Sequence, residues 1–409
     1  MTENRFKIWI FFSILSFWVV SAVGTLMRYK IGFEFPFFYQ KYLLHAHSHF
    51  AFAGWVTQTL MILMVYSIRE YLTNAKLIQY QRIFGANLVV SYGMLVFFTI
   101  QGYGLFSITF STLSILTLLF FTYLFIKDLI NNDLVNKHLW FIAALFFNFL
   151  SIFGTAKLIH MMATKQIVQD TFLASIYWYL HFQYNGWFFF AFLGLFIYYL
   201  EKTYGFQLPK KVFYLLAAAC IPTYGLSLLW ANLPLWIYCI VAAGAVVQVY
   251  AWGVFSKKLV DVKLHIFQNI FEPHKLLLIV ALLASTTKFL LQFISIVPEI
   301  SKLAFGFRPI IIAYLHLALL AMTSMFLLYL CLKNKLLENN HIFRIGVFVV
   351  ITGVLLNELV LLIQGLASLE YLPLDMLTFT NESLFGISAL IFIGIAQLIV
   401  SQVQALKSS

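Results

Sequence analysis

"LLHAHSHFAFAGW", residues 43 to 55, places three histidines at alternate positions at the start of an apolar run that continues to about residue 67. A polar ring at membrane depth costs free energy, so what surrounds this stretch decides both the fold and the purpose of the histidines. Composition answers the first part. The chain has 409 residues, 62% hydrophobic, 19% aromatic and only 10% charged, with a mean hydropathy of +0.91. Those values exclude a water-soluble globule. Apolar runs of about 20 residues, each long enough to cross roughly 30 Å of hydrocarbon as a helix, recur along nearly the whole length. The expectation is an all-α integral membrane protein, a single transmembrane domain over 1–409 with no soluble domain.

Working outward from residue 43, the pattern predicts twelve spans. They lie near 7 to 27, 44 to 67, 83 to 104, 106 to 127, 138 to 162, 170 to 200, 211 to 230, 233 to 256, 275 to 297, 309 to 332, 342 to 367 and 382 to 405. Two pairs are separated only by tight turns, at Gly102 and Gly104 and at "ANLP". The basic residues test the count. With twelve spans, 18 of the 26 Lys and Arg fall in segments on the side of the N-terminus, seven on the other side, and Lys288 inside a span. That bias predicts both termini in the cytoplasm. The net charge of +11 is therefore a topology signal, and the scattered lysines do not make a nucleic-acid surface.

The first span lacks a small-residue cleavage site before "MRYK", which predicts a retained helix and not a signal peptide. Cys220, Cys239 and Cys331 lie inside spans without a C-x-x-C-H, so neither a disulfide framework nor a covalently attached haem is expected. No P-loop, Rossmann glycine pattern or GxSxG is present, and no repeat stands out in the sequence.

Five of the ten histidines lie in even-numbered spans, at depths that agree. His45, His47 and His49 begin the second span, His181 lies early in the sixth and His316 early in the tenth. All fall in the same half of the membrane, as a shared site requires. Helical geometry then sorts the triplet: residues four apart differ by about 40° around the axis and residues two apart by about 200°. His45 and His49 share a face and His47 points away, so a regular helix cannot aim all three at one metal. One can bind iron while another holds a propionate, a second metal or an interfacial water. Interfacial hydrogen bonding is the plain reading of any single one, whereas histidines on facing helices are how bundles hold haem.

This arrangement resembles the catalytic subunit of the haem-copper oxidase superfamily, most closely its C-type oxidase and nitric oxide reductase branches. Three stretches carry the likeness. "HAHSHFAFAGWV" looks like the helix-two segment that ligates the low-spin haem. "YWYLHFQYNGWFFFAFLG", 177 to 194, is similar to the helix-six segment that supplies a copper ligand. "RPIIIAYLHLALL", 308 to 320, resembles the helix-ten segment whose H-x-H serves two haems. The resemblance implies a twelve-helix bundle of that type in a bacterial cytoplasmic membrane, a b-type haem held by His316 and one helix-two histidine, and respiratory partner subunits or a cytochrome donor. Counting back from Gly54 favours His47, with His49 and His45 left open.

The departures fall on the binuclear centre. Tyr314 stands where the first helix-ten histidine belongs, Asn185 where the reductases carry a glutamate, and no histidine lies between His181 and His265 to complete a copper site. Copper in such sites takes about three nitrogen ligands, so His181 alone makes copper doubtful, and a second haem is open. Tyr314 can ligate iron as a phenolate or simply pack. Arg308 is a candidate propionate partner or an interfacial anchor. Lys157 and His160 share a face near a span end, where snorkelling is the plain reading. Lys288 and Glu358 lie deeper and are expected to be paired, neutral or hydrated. His265, Glu272 and His274 form a loop constellation that reads as a solvated helix more readily than as a metal site.

The leading expectation is a haem-binding membrane redox protein for electron transfer or O2/NO binding, with a degenerate haem-copper centre. An active terminal oxygen or nitric oxide reductase with unusual ligands, a cofactor-free twelve-helix transporter and a structural subunit that kept only the fold are the alternatives.

Overall fold

The computed structural model describes residues 3–262, 272–301, 307–368, 371 and 379–408. Among the described residues there is helix and no strand. This is what a chain needs if its backbone is to satisfy its own hydrogen bonds in hydrocarbon. Eleven of these helices are long and apolar enough to cross a membrane. In chain order the first five are α1 (Glu3–Gly32), α2 (Gln40–Tyr71), α3 (Asn74–Gln101), α4 (Leu105–Asn131) and α5 (Leu139–Thr164). A further run, α6, covers 169–204 as Gln169–His181, Phe182–Phe188 and Phe189–Tyr204. Then come α7 (Lys210–Leu228), α8 (Leu235–Asp261), α9 (Pro273–Ile294), α10 (Arg308–Lys333), α11 (His341–Ala367) and α12 (Thr380–Ala405).

Eleven of the twelve expected spans overlap the eleven membrane-length apolar helices; the remaining expectation, 170 to 200, falls on the helical run α6, which is not among them. Its length suffices, but its first half is rich in Tyr and Trp and carries Gln183 and Asn185, which dilute its apolarity. Local chemistry sets the helix ends. Thr73 Oγ1 accepts from Lys76 N at the start of α3, and Pro273 and Pro309 sit in the first turns of α9 and α10, where no intrahelical N–H is lost. Gly102, at φ 58°, reverses the chain between α3 and α4. A Cβ there would lie 2.4 Å from the Tyr42 ring, so both the backbone angle and the packing on α2 demand glycine.

The described chain sorts into two compact units. One holds α1 to α4, α10 from Ser324 onward, α11 and α12. In it Trp55 stacks on Phe17 at 4.5 Å and donates through Nε1 to Ser324 Oγ at 3.0 Å. Near the α2–α3 turn, the buried Asp128 takes Lys76 Nζ at 2.9 Å and the Tyr80 hydroxyl at 2.8 Å. The other unit holds α5 to α8, most of α9 and α10 up to Thr323. Its α5 and α6 approach so closely that a Cβ on Gly154 would meet the Ser175 carbonyl at 2.6 Å.

Among the described residues three helices are interrupted by π turns: Ala51–Thr57 in α2, Phe182–Phe188 in α6 and Leu317–Ser324 in α10. They recur at every fourth helix, and such turns are frequent at functional sites.

Candidate functional site

Each π turn begins one or two residues after a histidine: His49, His181 and His316. The first two also share a sequence, His-Phe-x-aromatic-x-Gly-Trp, at His49 to Trp55 and His181 to Trp187. This internal repeat was present in the chain as a string, and only the matching π turns make it conspicuous. Its glycine has a packing reason in α6, where a Cβ on Gly186 would lie 2.4 Å from Phe147 Cβ.

A π turn carries one residue more than an α turn and disturbs the carbonyl ladder, and polar side chains meet the carbonyls involved. In α2, Ala53 O accepts from Gln58 N, five residues on, and from Asn87 Nδ2 of α3 at 3.0 Å. Asn87 also donates to Gln58 Oε1 at 2.8 Å. In α6, the Asn185 carbonyl accepts from Cys220 Sγ at 3.6 Å. In α10, Thr323 Oγ1 donates to Ala318 O at 2.7 Å.

The triplet in α2 divides as helical geometry requires. His47 turns to α1, where its Nδ1 lies 3.1 Å from Val20 O. Gly24, one turn on, leaves room for the ring: a Cβ there would stand 3.2 Å from His47 Cε1. His49 turns to α3, with its ring stacked on Phe98 at 4.4 Å and Nε2 3.1 Å from the Tyr103 hydroxyl. His45 shares that face, with its ring 4.6 Å from Tyr103 and its buried Nε2 without a hydrogen-bond partner.

His316 directs Nδ1 at Ile312 O, one turn back on its own helix, at 2.9 Å. Because a backbone carbonyl only accepts, His47 and His316 both carry the proton on Nδ1, which assigns the lone pair to Nε2. In each ring the carbonyl fixes the ring plane.

His181, 1% exposed, is arranged differently. Its Nε2 donates to Cys220 O at 2.8 Å and its Nδ1 accepts from Asn185 Nδ2 at 3.0 Å. Both nitrogens are in use, so the expectation that His181 holds a metal meets a ring already committed to cross-linking α6 and α7. The donor set around it does not suit copper. Among the described residues no group of three or more His, Cys, Asp or Glu side chains is placed to hold a metal ion.

The other candidates separate as well. The Tyr314 ring lies edge-on to Tyr184 at 6.1 Å. Arg308, Lys157 and His160 are exposed. Lys288, 1% exposed, donates to Gln292 Oε1 at 3.1 Å and lies over the Phe289 ring at 4.3 Å, so this buried amine is paired through a neutral amide. Glu358 accepts from Asn357 Nδ2 at 3.3 Å. His265 lies outside the described residues, whereas Glu272 takes the N-cap position of α9 and His274 stands in its first turn.

No protein-family model matches the chain, and no curated protein matches it.

Proposed function

We propose that this chain is a haem-binding membrane redox protein, related to the catalytic subunit of the haem-copper oxidases, with His47 and His316 as imidazole ligands to b-type haem. In this reading α6 is the twelfth span, both termini are cytoplasmic, and the protein sits in a bacterial cytoplasmic membrane beside an electron-donating subunit or cytochrome. The observation that carries it is shared by two rings. His47 and His316 each hold Nδ1–H against a backbone carbonyl, at 3.1 and 2.9 Å, close before a π turn. Bound haem supplies one-electron chemistry and an iron able to take up O2 or NO. The chain would contribute the two imidazoles, each with its ring plane fixed by a backbone carbonyl.

Copper has no part in this proposal, because both nitrogens of His181 are occupied within the protein. The experiment is a dithionite-reduced minus oxidised spectrum of detergent-purified protein, with pyridine haemochrome quantification and copper by elemental analysis. A b-type band that disappears in His316→Ala and weakens in His47→Ala is expected, with any copper unaffected by replacement of His181. A colourless protein refutes the proposal.

A further inference from the structure

The alternating triplet leaves two histidines that the haem reading does not use, and they meet a third ligand-bearing side chain. His45 and His49 lie four residues apart on one face of α2, the spacing at which two imidazoles on a helix bind one metal. The α3–α4 turn brings Tyr103 over that face. Gly102 makes this possible through its positive φ, and Ser107 Oγ secures the turn by donating to Gly102 O at 2.6 Å and accepting from Gly104 N at 2.8 Å.

We infer that His45, His49 and Tyr103 form a second metal site, for a divalent first-row transition ion with copper(II) bound most tightly. The geometry is that of a coordination edge. With metal–ligand bonds of about 2.1 Å, two neighbouring ligand atoms stand about 3 Å apart. His49 Nε2 and the Tyr103 oxygen are 3.1 Å apart. The third ligand atom is His45 Nε2, a buried nitrogen with no hydrogen-bond partner, on a ring 4.6 Å from that of Tyr103. The frame is rigid, since Phe98 stacks beneath His49 and meets Tyr103 edge-on at 5.1 Å. The cluster sits at the first turns of α2, half-exposed, where an ion can enter.

Two imidazoles with a phenolate suit copper(II) by ligand type, and copper(II) heads the affinity order for such N/O sets. On binding, the ion takes the lone pairs of His45 Nε2 and His49 Nε2 and displaces the hydroxyl proton of Tyr103 to solvent, with no change of oxidation state. His47 lies on the opposite face against α1 and is not a ligand.

The test is a copper(II) titration of the detergent-purified full chain, followed by electron paramagnetic resonance and by a phenolate-to-copper charge-transfer band. One equivalent of copper with nitrogen hyperfine structure is expected. His45→Gln should weaken binding at least about tenfold, a loss typical of damaged metal sites. Tyr103→Phe should abolish the charge-transfer band, while His47→Ala should leave the copper signal intact. Wild-type copper affinity in both His45→Gln and Tyr103→Phe would overturn the inference. If His45→Gln aggregates, Tyr103→Phe, which removes a single oxygen, decides alone. This site does not rest on the haem reading: a colourless protein that still gives the copper signal refutes the haem and keeps the site.

Discussion

Replacing Asn87 by leucine tests whether the π turn of α2 is held by its neighbour. The side chain is 1% exposed and makes two contacts, to Ala53 O at 3.0 Å and to Gln58 Oε1 at 2.8 Å. Hydrogen bonds between membrane helices average about 0.6 kcal/mol and reach about 1.7. An orphaned buried acceptor adds about 1–3 kcal/mol where water cannot replace the lost donor. Ala53 O keeps Gln58 N, so the acceptor left alone is Gln58 Oε1. The sum places Asn87→Leu at about 2 kcal/mol of lost stability. Gln58→Leu removes that orphan, so the double variant Asn87→Leu/Gln58→Leu should be about 1 kcal/mol better than the two single losses added together. The assay is reversible unfolding in mixed dodecyl sulfate micelles, read by tryptophan fluorescence. Additive losses, or a single variant as stable as the parent, would refute the idea that Asn87 acts through the π turn.

The other expectations concern distinct parts of the chain. Lys76→Met strands the buried Asp128 carboxylate with only the Tyr80 hydroxyl and should cost about 3 kcal/mol, whereas Asp128→Asn leaves a lysine able to reach water and should cost about 1. Equal losses in the same unfolding assay would contradict this asymmetry. Gly154→Val pushes a side chain into the Ser175 carbonyl and should lower the melting temperature well beyond what Gly253→Val does, since a Cβ on Gly253 has open space around it. His181→Phe deletes the bonds to Cys220 O, which keeps the Thr223 hydroxyl at 3.2 Å, and to Asn185 Nδ2, and should destabilise by about 1–2 kcal/mol while leaving metal content per folded chain unchanged. A loss of bound metal in that variant, measured by elemental analysis, would restore His181 as a ligand.

Much of the fold was legible because the membrane imposes a simple rule on sequence. The 28 residues of α3 and the 27 of α4 could be read as spans because a single apolar helix satisfies its own backbone in hydrocarbon, and Gly102 between them marks the reversal. The split of the triplet was also legible: a helix turning about 100° per residue must aim His47 away from His45 and His49, and the structure sends it to Val20 while His49 meets Phe98. The weak span was legible only as a helix. Tyrosines and amides in 169–204 lower its apolarity because they serve contacts inside the protein, such as Gln183 Nε2 to Asn148 Oδ1 at 3.0 Å.

By itself, then, the sequence determined where helices run and which faces the histidines share, since these follow from hydrophobicity and helical period acting locally. Only the tertiary structure decided what each imidazole nitrogen touches. Cys220 O reaches His181 Nε2 from 39 residues away, Val20 O reaches His47 from 27, and Tyr103 reaches His49 from 54. A histidine's chemistry is set by what its two nitrogens touch, and those partners come from other helices. The π turns obey the same logic, because the side chains that meet their displaced carbonyls, Asn87 and Cys220 among them, arrive from neighbouring helices when the chain packs.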